Sequence, residues 1–375
     1  MGSPLWLLDR FSYHDVARAY LDCRTRKRRK RTSVVFEHEF EVNLDKLRKQ
    51  LNTDSYCIGA SQVFVVLHPK PREVWAAGFR DRIVHHLLYN CIGPFYESRF
   101  IEDSYACIKG RGTHRAIARL NTFCRSATED WTKQAWCFKV DIKNFFVSIN
   151  KNILWDILVK HVGEKSRTSR LLKQVLFHNP TEHAIIKTPD LLKYVPYHKS
   201  LWRCPEGCGL PIGNLTSQFL ANVYNDGLDQ FVKHKLRAKW YVRYVDDAVV
   251  LSHDREQLRD WFYQMDEWIW ENRRLRFHPD KMSIVPVSHG VDFVGSVVLP
   301  YRVYARRLTV NSANKSVSRL LQAPDELPKR ISVNSYLGLL RTVNTFNIRR
   351  KMVSCVERAI GIAHDSECTK LLIHQ

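Results

Sequence analysis

Between Trp240 and Ser252 two strand-forming runs, Tyr241-Val242-Arg243-Tyr244-Val245 and Ala248-Val249-Val250-Leu251, flank a bare Asp246-Asp247. The β-branched and aromatic residues predict a hairpin, but the pair at its tip suits one badly. Two-residue hairpin loops favour Asn-Gly, Asp-Gly or another glycine-bearing pair, because their backbone needs positive φ. Two adjacent carboxylates between apolar strands also repel each other and lose solvation, which raises a carboxyl pKa or weakens the fold unless cations neutralise them. A sequence that breaks a local rule without local gain marks a candidate functional site. Asp141 repeats the anomaly, as an acid near the end of the apolar strand Trp136-Cys137-Phe138-Lys139-Val140-Asp141-Ile142. The plainer alternative has Asp246 and Asp247 cap an exposed turn and Asp141 cap the element after it. A Tyr-x-Asp-Asp tetrapeptide alone is short enough to arise by chance.

Phosphoryl and nucleotidyl transfer offer one chemical reason for such acids. These reactions commonly use two divalent ions about 3.5–4 Å apart that clamp the attacking and leaving oxygens. Hard carboxylates suit Mg²⁺, which takes its remaining ligands from water and substrate phosphates. Asp141, Asp246 and Asp247 would supply that cluster if strand and hairpin are neighbours in one sheet. The overall charge fits a polyanionic partner. Lys and Arg number 59 against 38 Asp and Glu, so the formal charge is +21, in a chain that is 45% hydrophobic and 11% aromatic. That apolar content excludes a disordered tail, and nucleic acid is the first partner to consider.

Seven of the eight residues from Arg24 to Arg31 are Lys or Arg. Arg26, Lys27, Arg28, Arg29, Lys30 and Arg31 are read as a nucleic-acid-binding arm, with a solvated helix end as the alternative. The ten cysteines are scattered, as expected of a reducing compartment. Cys204 and Cys208 flank Pro205-Glu206-Gly207, but zinc needs four ligands and no second pair is near. No run approaches the ~18–20 apolar residues of a membrane span, and the N-terminus has no signal-peptide pattern. These features predict a cytoplasmic protein with no membrane partner.

Along the chain, Gln62 to His68 predicts a strand stopped by Pro69 and Pro71. Ile83, Val84, Leu87, Leu88, Cys91 and Ile92 recur at helical spacing, with Pro94 expected to end that helix. A helix is expected from Asn214 to about Leu236, with Gly227 as a local irregularity. An aromatic-rich helix through Trp261 and Trp270 and short strands near Ile284 and Val291–Leu299 follow. The last 76 residues carry 13 Lys and Arg against 5 Asp and Glu and look helical. The order suggests an α+β core with a basic helical appendix.

Four segments stand in fixed order: Phe138-Lys139-Val140-Asp141-Ile142-Lys143-Asn144-Phe145-Phe146, Gly209-Leu210-Pro211-Ile212-Gly213-Asn214-Leu215-Thr216-Ser217-Gln218, Tyr244-Val245-Asp246-Asp247 and Gly290-Val291-Asp292-Phe293-Val294-Gly295. Together they resemble the successive palm motifs of reverse transcriptases, over roughly residues 63–299. The resemblance is closest to stand-alone prokaryotic enzymes, particularly those of diversity-generating retroelements and related defence-associated reverse transcriptases. It implies a right-hand polymerase fold, with an N-terminal basic extension over 1–55, fingers over 56–135, a palm over 136–299 with an insertion at about 179–208, and a basic helical thumb over 300–375. It leaves no room for a ribonuclease H, integrase or homing-endonuclease domain.

Roles follow from the same resemblance. Asp141 and Asp246 match the principal metal ligands, Asp247 matches the second acid of the turn, and Ile142 is counted with them beside Asp141. Two Mg²⁺ ions are implied, with Mn²⁺ as a substitute. Phe146 matches the aromatic gate that rejects a ribose 2′-hydroxyl, although adjacent Phe145 could fill that place. Asn144 and Phe145 match residues whose amides approach the triphosphate. Gly213 matches the glycine that lets backbone come close to the base pair. Lys281 matches a lysine near the leaving pyrophosphate, or else is a solvated surface residue. Ile212 stands where most relatives have Gln, as in the diversity-generating group, and cannot offer Gln's hydrogen bonds, so looser nucleotide discrimination is expected. In Tyr105 to His114, Ile108 stands where relatives often carry Arg, which leaves Lys109 or Arg111, with Arg72, to hold the incoming phosphates. The implied activity is RNA-directed DNA polymerisation from dNTPs on a cognate structured noncoding RNA, giving a DNA product. The setting would be an antiphage-defence or diversification module with an accessory or second module protein. An idle RNA-binding scaffold and an RNA-dependent RNA polymerase are the alternatives.

Overall fold

The structure is a computed structural model that describes residues 9–25, 27–68 and 70–372; Arg26 and the side chain of Lys281 lie outside the described residues. The chain opens with three helices, α1 (Tyr13–Arg24), α2 (Arg31–His38) and α3 (Phe40–Asn52). Ser12 and Asp15 form a reciprocal capping box at the start of α1, which satisfies two otherwise orphaned N–H groups. Val16, Ala19, Tyr20 and Cys23 give α1 a buried face, and Leu44, Leu47 and Leu51 do the same for α3. Residues 11–51 thus contribute to the main core.

A hairpin of β1 (Gln62–Val66) and β2 (Arg72–Ala76) leads into α4 (Phe79–Glu97). Helix α4 runs through Pro94, where an end was expected. Proline removes one N–H and crowds the previous turn, but the helix continues far enough for Ser98 N–H to donate to the Pro94 carbonyl at 3.2 Å. Helix α5 (Thr113–Ala127) and strand β3 (Trp136–Asp141) follow, then α6 (Phe145–Ser148), α7 (Lys151–Val162), α8 (Arg167–Phe177) and the two-residue strand β4 (Ile185–Ile186). Helix α9 (Leu215–Gln230) passes into a π-helical turn over Phe231–Lys235. Then come β5 (Trp240–Tyr244), β6 (Asp247–Ser252), α10 (Arg255–Arg273), β7 (Ser283–Pro286), β8 (Val291–Phe293), β9 (Ser296–Leu299) and β10 (Arg302–Ala305). Three helices close the described chain: α11 (Arg307–Gln322), α12 (Leu327–Leu340) and α13 (Phe346–Ile360).

The central sheet has order β5-β6-β3-β7, with all neighbours antiparallel. One face covers the large core that runs from Phe11 to Phe277, and the other covers a second core with α5 and the β8–β9 hairpin. A separate sheet, β10-β9-β8, extends the pattern expected up to Leu299 by one more strand. The first hairpin gains β4 as a parallel neighbour of β1. Residues 179–208, unreadable in the sequence, therefore pack on this hairpin, with Trp202 against Trp75 (ring centroids 4.7 Å apart). Buried Glu73 fixes them by accepting from Leu201 N–H at 2.9 Å. The C-terminal helices enclose their own core around Leu320, Leu337 and Val353. Among the described residues no helix is long and apolar enough to cross a membrane.

Candidate active site

The hairpin carrying the two acids turns one residue earlier than the sequence suggests. Strand β5 ends at Tyr244 and β6 begins at Asp247, its register partner, so the turn residues are Val245 and Asp246. Val245 has φ 57°, a left-handed conformation that is a genuine outlier for a β-branched residue and costs on the order of 1–3 kcal/mol. Asp247, one residue on, is a strand residue. Its partner across the sheet is Asp141, and directly opposed residues point to the same face, with Cβ atoms about 4.5–5.5 Å apart.

Backbone bonds lock this corner. Ile142 N–H donates to the Asp246 carbonyl at 3.1 Å, His278 N–H donates to the Asp141 carbonyl at 2.8 Å, and Lys143 N–H donates to the Arg276 carbonyl at 2.9 Å. The Ile142 side chain is buried, so only its main chain can serve a metal. Sequence reasoning missed one cation. Lys139 Nζ lies 3.6 Å from Asp247 Oδ2, and the signal was its position two residues before Asp141 on the same face of the strand. Among the described residues no group of three or more His, Cys, Asp or Glu side chains is placed to hold a metal ion by itself. The opposed pair Asp141 and Asp247 offers hard carboxylate oxygens of the kind that suit Mg²⁺, an ion that takes most of its shell from water and phosphate oxygens.

Asn144 caps α6 in the left-handed region at φ 51°, which Asn tolerates. The two phenylalanines after it part company: Phe145 is buried in the main core, whereas Phe146 is half-buried beside it, with ring centroids 5.4 Å apart. Ile212 and Gly213 are bound to β2. Trp75 N–H donates to the Ile212 carbonyl at 2.7 Å, and Ala77 N–H donates to Asn214 Oδ1 at 3.1 Å. Gly213 has φ 121°, and a Cβ there would sit 2.6 Å from the Trp75 carbonyl oxygen. The close approach that demands glycine here comes from the protein's own backbone.

Arg72 is exposed at the start of β2. Arg111 braces its loop, with Nη1 donating to the carbonyls of Ile101 and Ser104, each at 2.7 Å. The described residues of the basic cluster lie at the junction of α1 and α2. Arg24 pairs with Glu37 at 2.7 Å, and the Tyr20 hydroxyl leads the groups that hold Glu37 below the usual carboxylate range. Arg28, Arg29, Lys30 and Arg31 are exposed and Lys27 is half-buried. Cys204 and Cys208 remain thiols, pushed up chiefly by burial.

Residues 69–298, which include Asp141, Asp246 and Asp247, match the family described as reverse transcriptase (RNA-dependent DNA polymerase). The chain belongs to the reverse transcriptase family. It is similar to nuclear intron maturase 4, mitochondrial, of Arabidopsis thaliana, with 22% identity over 231 residues, covering 61% of this chain and 26% of that protein. An uncharacterized 91 kDa protein in the cob intron of Schizosaccharomyces pombe is 26% identical over 155 residues, covering 41% of this chain and 16% of that one. The chain thus spans about a quarter or less of these curated relatives. A solved structure of telomerase from Candida albicans, in complex with a TWJ fragment of telomeric RNA, shows a loose likeness. Its TM-score is 0.45 at 12% identity, over 82% of this chain and 57% of that one.

Proposed function

We propose that this reverse transcriptase family member is an active RNA-directed DNA polymerase of right-hand architecture. Its fingers would lie in residues 56–135, its palm in 136–299 and its thumb in 300–375. The observation that carries the reading is Asp141 facing Asp247 across β3 and β6 with Asp246 in the adjoining turn, inside a domain of this family. Asp141, Asp246 and the Ile142 carbonyl would hold the metals, with Asp247 in support and Lys139, 3.6 Å from Asp247, balancing charge. Mg²⁺ held there would supply Lewis-acid chemistry for nucleotidyl transfer. Half-buried Phe146 gates the sugar, while Ile212 presents an apolar surface to the nucleotide beside Gly213. Arg72, Arg111 and Lys281, with the amides of Asn144 and Phe145, receive the triphosphate. The exposed Arg28–Arg31 turn contacts RNA phosphates. The template is one cognate structured noncoding RNA, in an antiphage-defence or diversity-generating module.

Primer extension on an RNA template with Mg²⁺ or Mn²⁺ tests this. Wild type should incorporate dNTPs in preference to rNTPs, and Asp246→Asn with Asp247→Asn should lose about 10³-fold or more of that rate while keeping the fold. Preference for rNTPs would make it an RNA polymerase. No incorporation on any template, co-purified RNA included, would leave an RNA-binding scaffold.

A further inference from the structure

Arg243 is a cation where a strand pattern calls for an apolar residue. It is 1% exposed, three residues before Asp246, and its ion-pair partner Asp229 on α9 is 0% exposed. The guanidinium is saturated. Nε and Nη2 donate to the two Asp229 oxygens at 2.7 Å each, Nη2 also donates to Ser104 Oγ at 3.0 Å, and Nη1 donates to Asn222 Oδ1 at 3.3 Å. The remaining bond runs from Nη1 to the Val245 carbonyl at 2.7 Å. Asn225 Nδ2 donates to that same carbonyl at 3.2 Å. The Tyr241 hydroxyl completes Asp229 at 2.6 Å. Burial alone would lower the pKa of Arg243, but Asp229 more than reverses it, so the charge persists.

A buried ion pair is weak evidence for stability, since packed apolar residues often do as well. What apolar residues could not do is add to Asn225 a second donor on the carbonyl of a β-branched residue held at positive φ. Besides the guanidinium's bond to Ser104, the main chain of residue 243 and the Asn222 side chain hold the loop before α5. Arg243 N–H donates to the Asp103 carbonyl at 3.0 Å, Tyr105 N–H donates to the Arg243 carbonyl at 3.1 Å, and Asn222 Nδ2 donates to the Ala106 carbonyl at 2.7 Å.

We infer that Arg243, with Asp229 and Asn225, is a positioning residue: it fixes the Val245–Asp246 peptide, and so the direction in which the Asp246 carboxylate leaves the turn, and it ties that turn to the 103–111 loop. The inference rests on the polymerase reading for its consequence. It assigns three buried residues outside the acid cluster to the geometry of that cluster.

Two variants of the full chain test it. Asn225→Ala removes one donor from the Val245 carbonyl and leaves the ion pair whole. Arg243→Lys keeps the charge but lacks the planar fork. Single-dNTP incorporation gives kcat and KM, Mn²⁺ titration followed by electron paramagnetic resonance gives metal affinity without turnover, and melting temperature reports the fold. Asn225→Ala should melt near wild type, with kcat down about 10- to 100-fold, dNTP KM little changed and Mn²⁺ bound several-fold more weakly. Arg243→Lys should go further in the same direction per folded molecule. Wild-type kcat and Mn²⁺ affinity in folded Asn225→Ala overturns the inference, as does a loss in Arg243→Lys that merely tracks its folded fraction. If wild type incorporates nothing, the polymerase reading fails instead, and the Mn²⁺ titrations still decide whether Asn225 and Arg243 shape the acid turn.

Discussion

Alanine at Gly213 should damage the junction between the Ile212 loop and β2, and its cost can be worked from the geometry. A Cβ at 213 would lie 2.6 Å from the Trp75 carbonyl oxygen and 2.9 Å from Val74 Cγ1, where ordinary contact begins at 3.4 Å. Relieving the first contact takes a shift of 3.4 − 2.6 = 0.8 Å. That would stretch the 2.7 Å bond from Trp75 N–H to the Ile212 carbonyl, because Trp75 is fully buried and cannot withdraw. The φ of 121° adds backbone strain of roughly 1–3 kcal/mol, overpacking adds about 1–3 kcal/mol, and a lost hydrogen bond costs about 1 kcal/mol. Gly213→Ala should therefore destabilise by about 3 kcal/mol or more, lowering the melting temperature by on the order of 5 °C. Gly338→Ala is the matched control. It lies within α12 with nothing inside 4 Å of its Cβ position, and should be neutral or stabilise by up to about 1 kcal/mol. Calorimetry on the two variants decides. Equal melting temperatures would refute the claim that glycine is required at 213 by contact with β2.

Other outcomes follow from single residues. Phe146→Ala should relax sugar discrimination, raising rNTP relative to dNTP incorporation at least about tenfold in a competition assay, whereas Phe145→Ala, cut from the core, should mainly cost about 3–5 kcal/mol of stability. Burial, with His86, His178 and Arg82 nearby, pushes the His85 imidazole from its ordinary 6.5 down to about 4. The unfolded chain then binds the extra proton, so stability is complete above pH ~6.5 and falls by roughly 3 kcal/mol toward pH 4. His85→Gln, still able to reach the Thr216 hydroxyl that lies 2.8 Å from the ring, should flatten that slope in urea melts. Replacing Arg28, Arg29, Lys30 and Arg31 with Ser should reduce the slope of log affinity against log salt on duplex-like RNA by about three to four. An unchanged slope would make the turn a solvated surface.

Asp141 and the hairpin acids were legible as anomalies because β3, β5 and β6 are largely apolar strands buried between two cores, where a carboxylate stands out. The turn itself was off by one residue, because what holds Val245 at positive φ is a set of donors from Arg243 and Asn225, and no dipeptide rule sees a contact from α9. Strand β4 left no trace, since its two residues pair with β1 more than a hundred positions earlier. Helix α1 carried readable signs, the Ser12–Asp15 box and an apolar stripe, which the basic run beside it obscured. Pro94 misled because tertiary packing of α4 outweighs one missing N–H. Arg243 could have been found from sequence by the test that exposed the acids, a charge in an apolar strand.

The cores have a mechanical consequence. Two of them pack on opposite faces of one sheet and together reach from Phe11 to Val298, so the basic turn, the acids and the Gly213 loop belong to a single stiff frame. The C-terminal helices have their own core. They meet that frame along a short seam, where Arg306 pairs with Asp292 and Asn344 N–H donates to the Val303 carbonyl at 3.0 Å. Strand β10 belongs to both sides, by its pairing with β9 and by its backbone bond to Asn344. A substitution in that strand is therefore felt by the central frame and by the C-terminal helices at once.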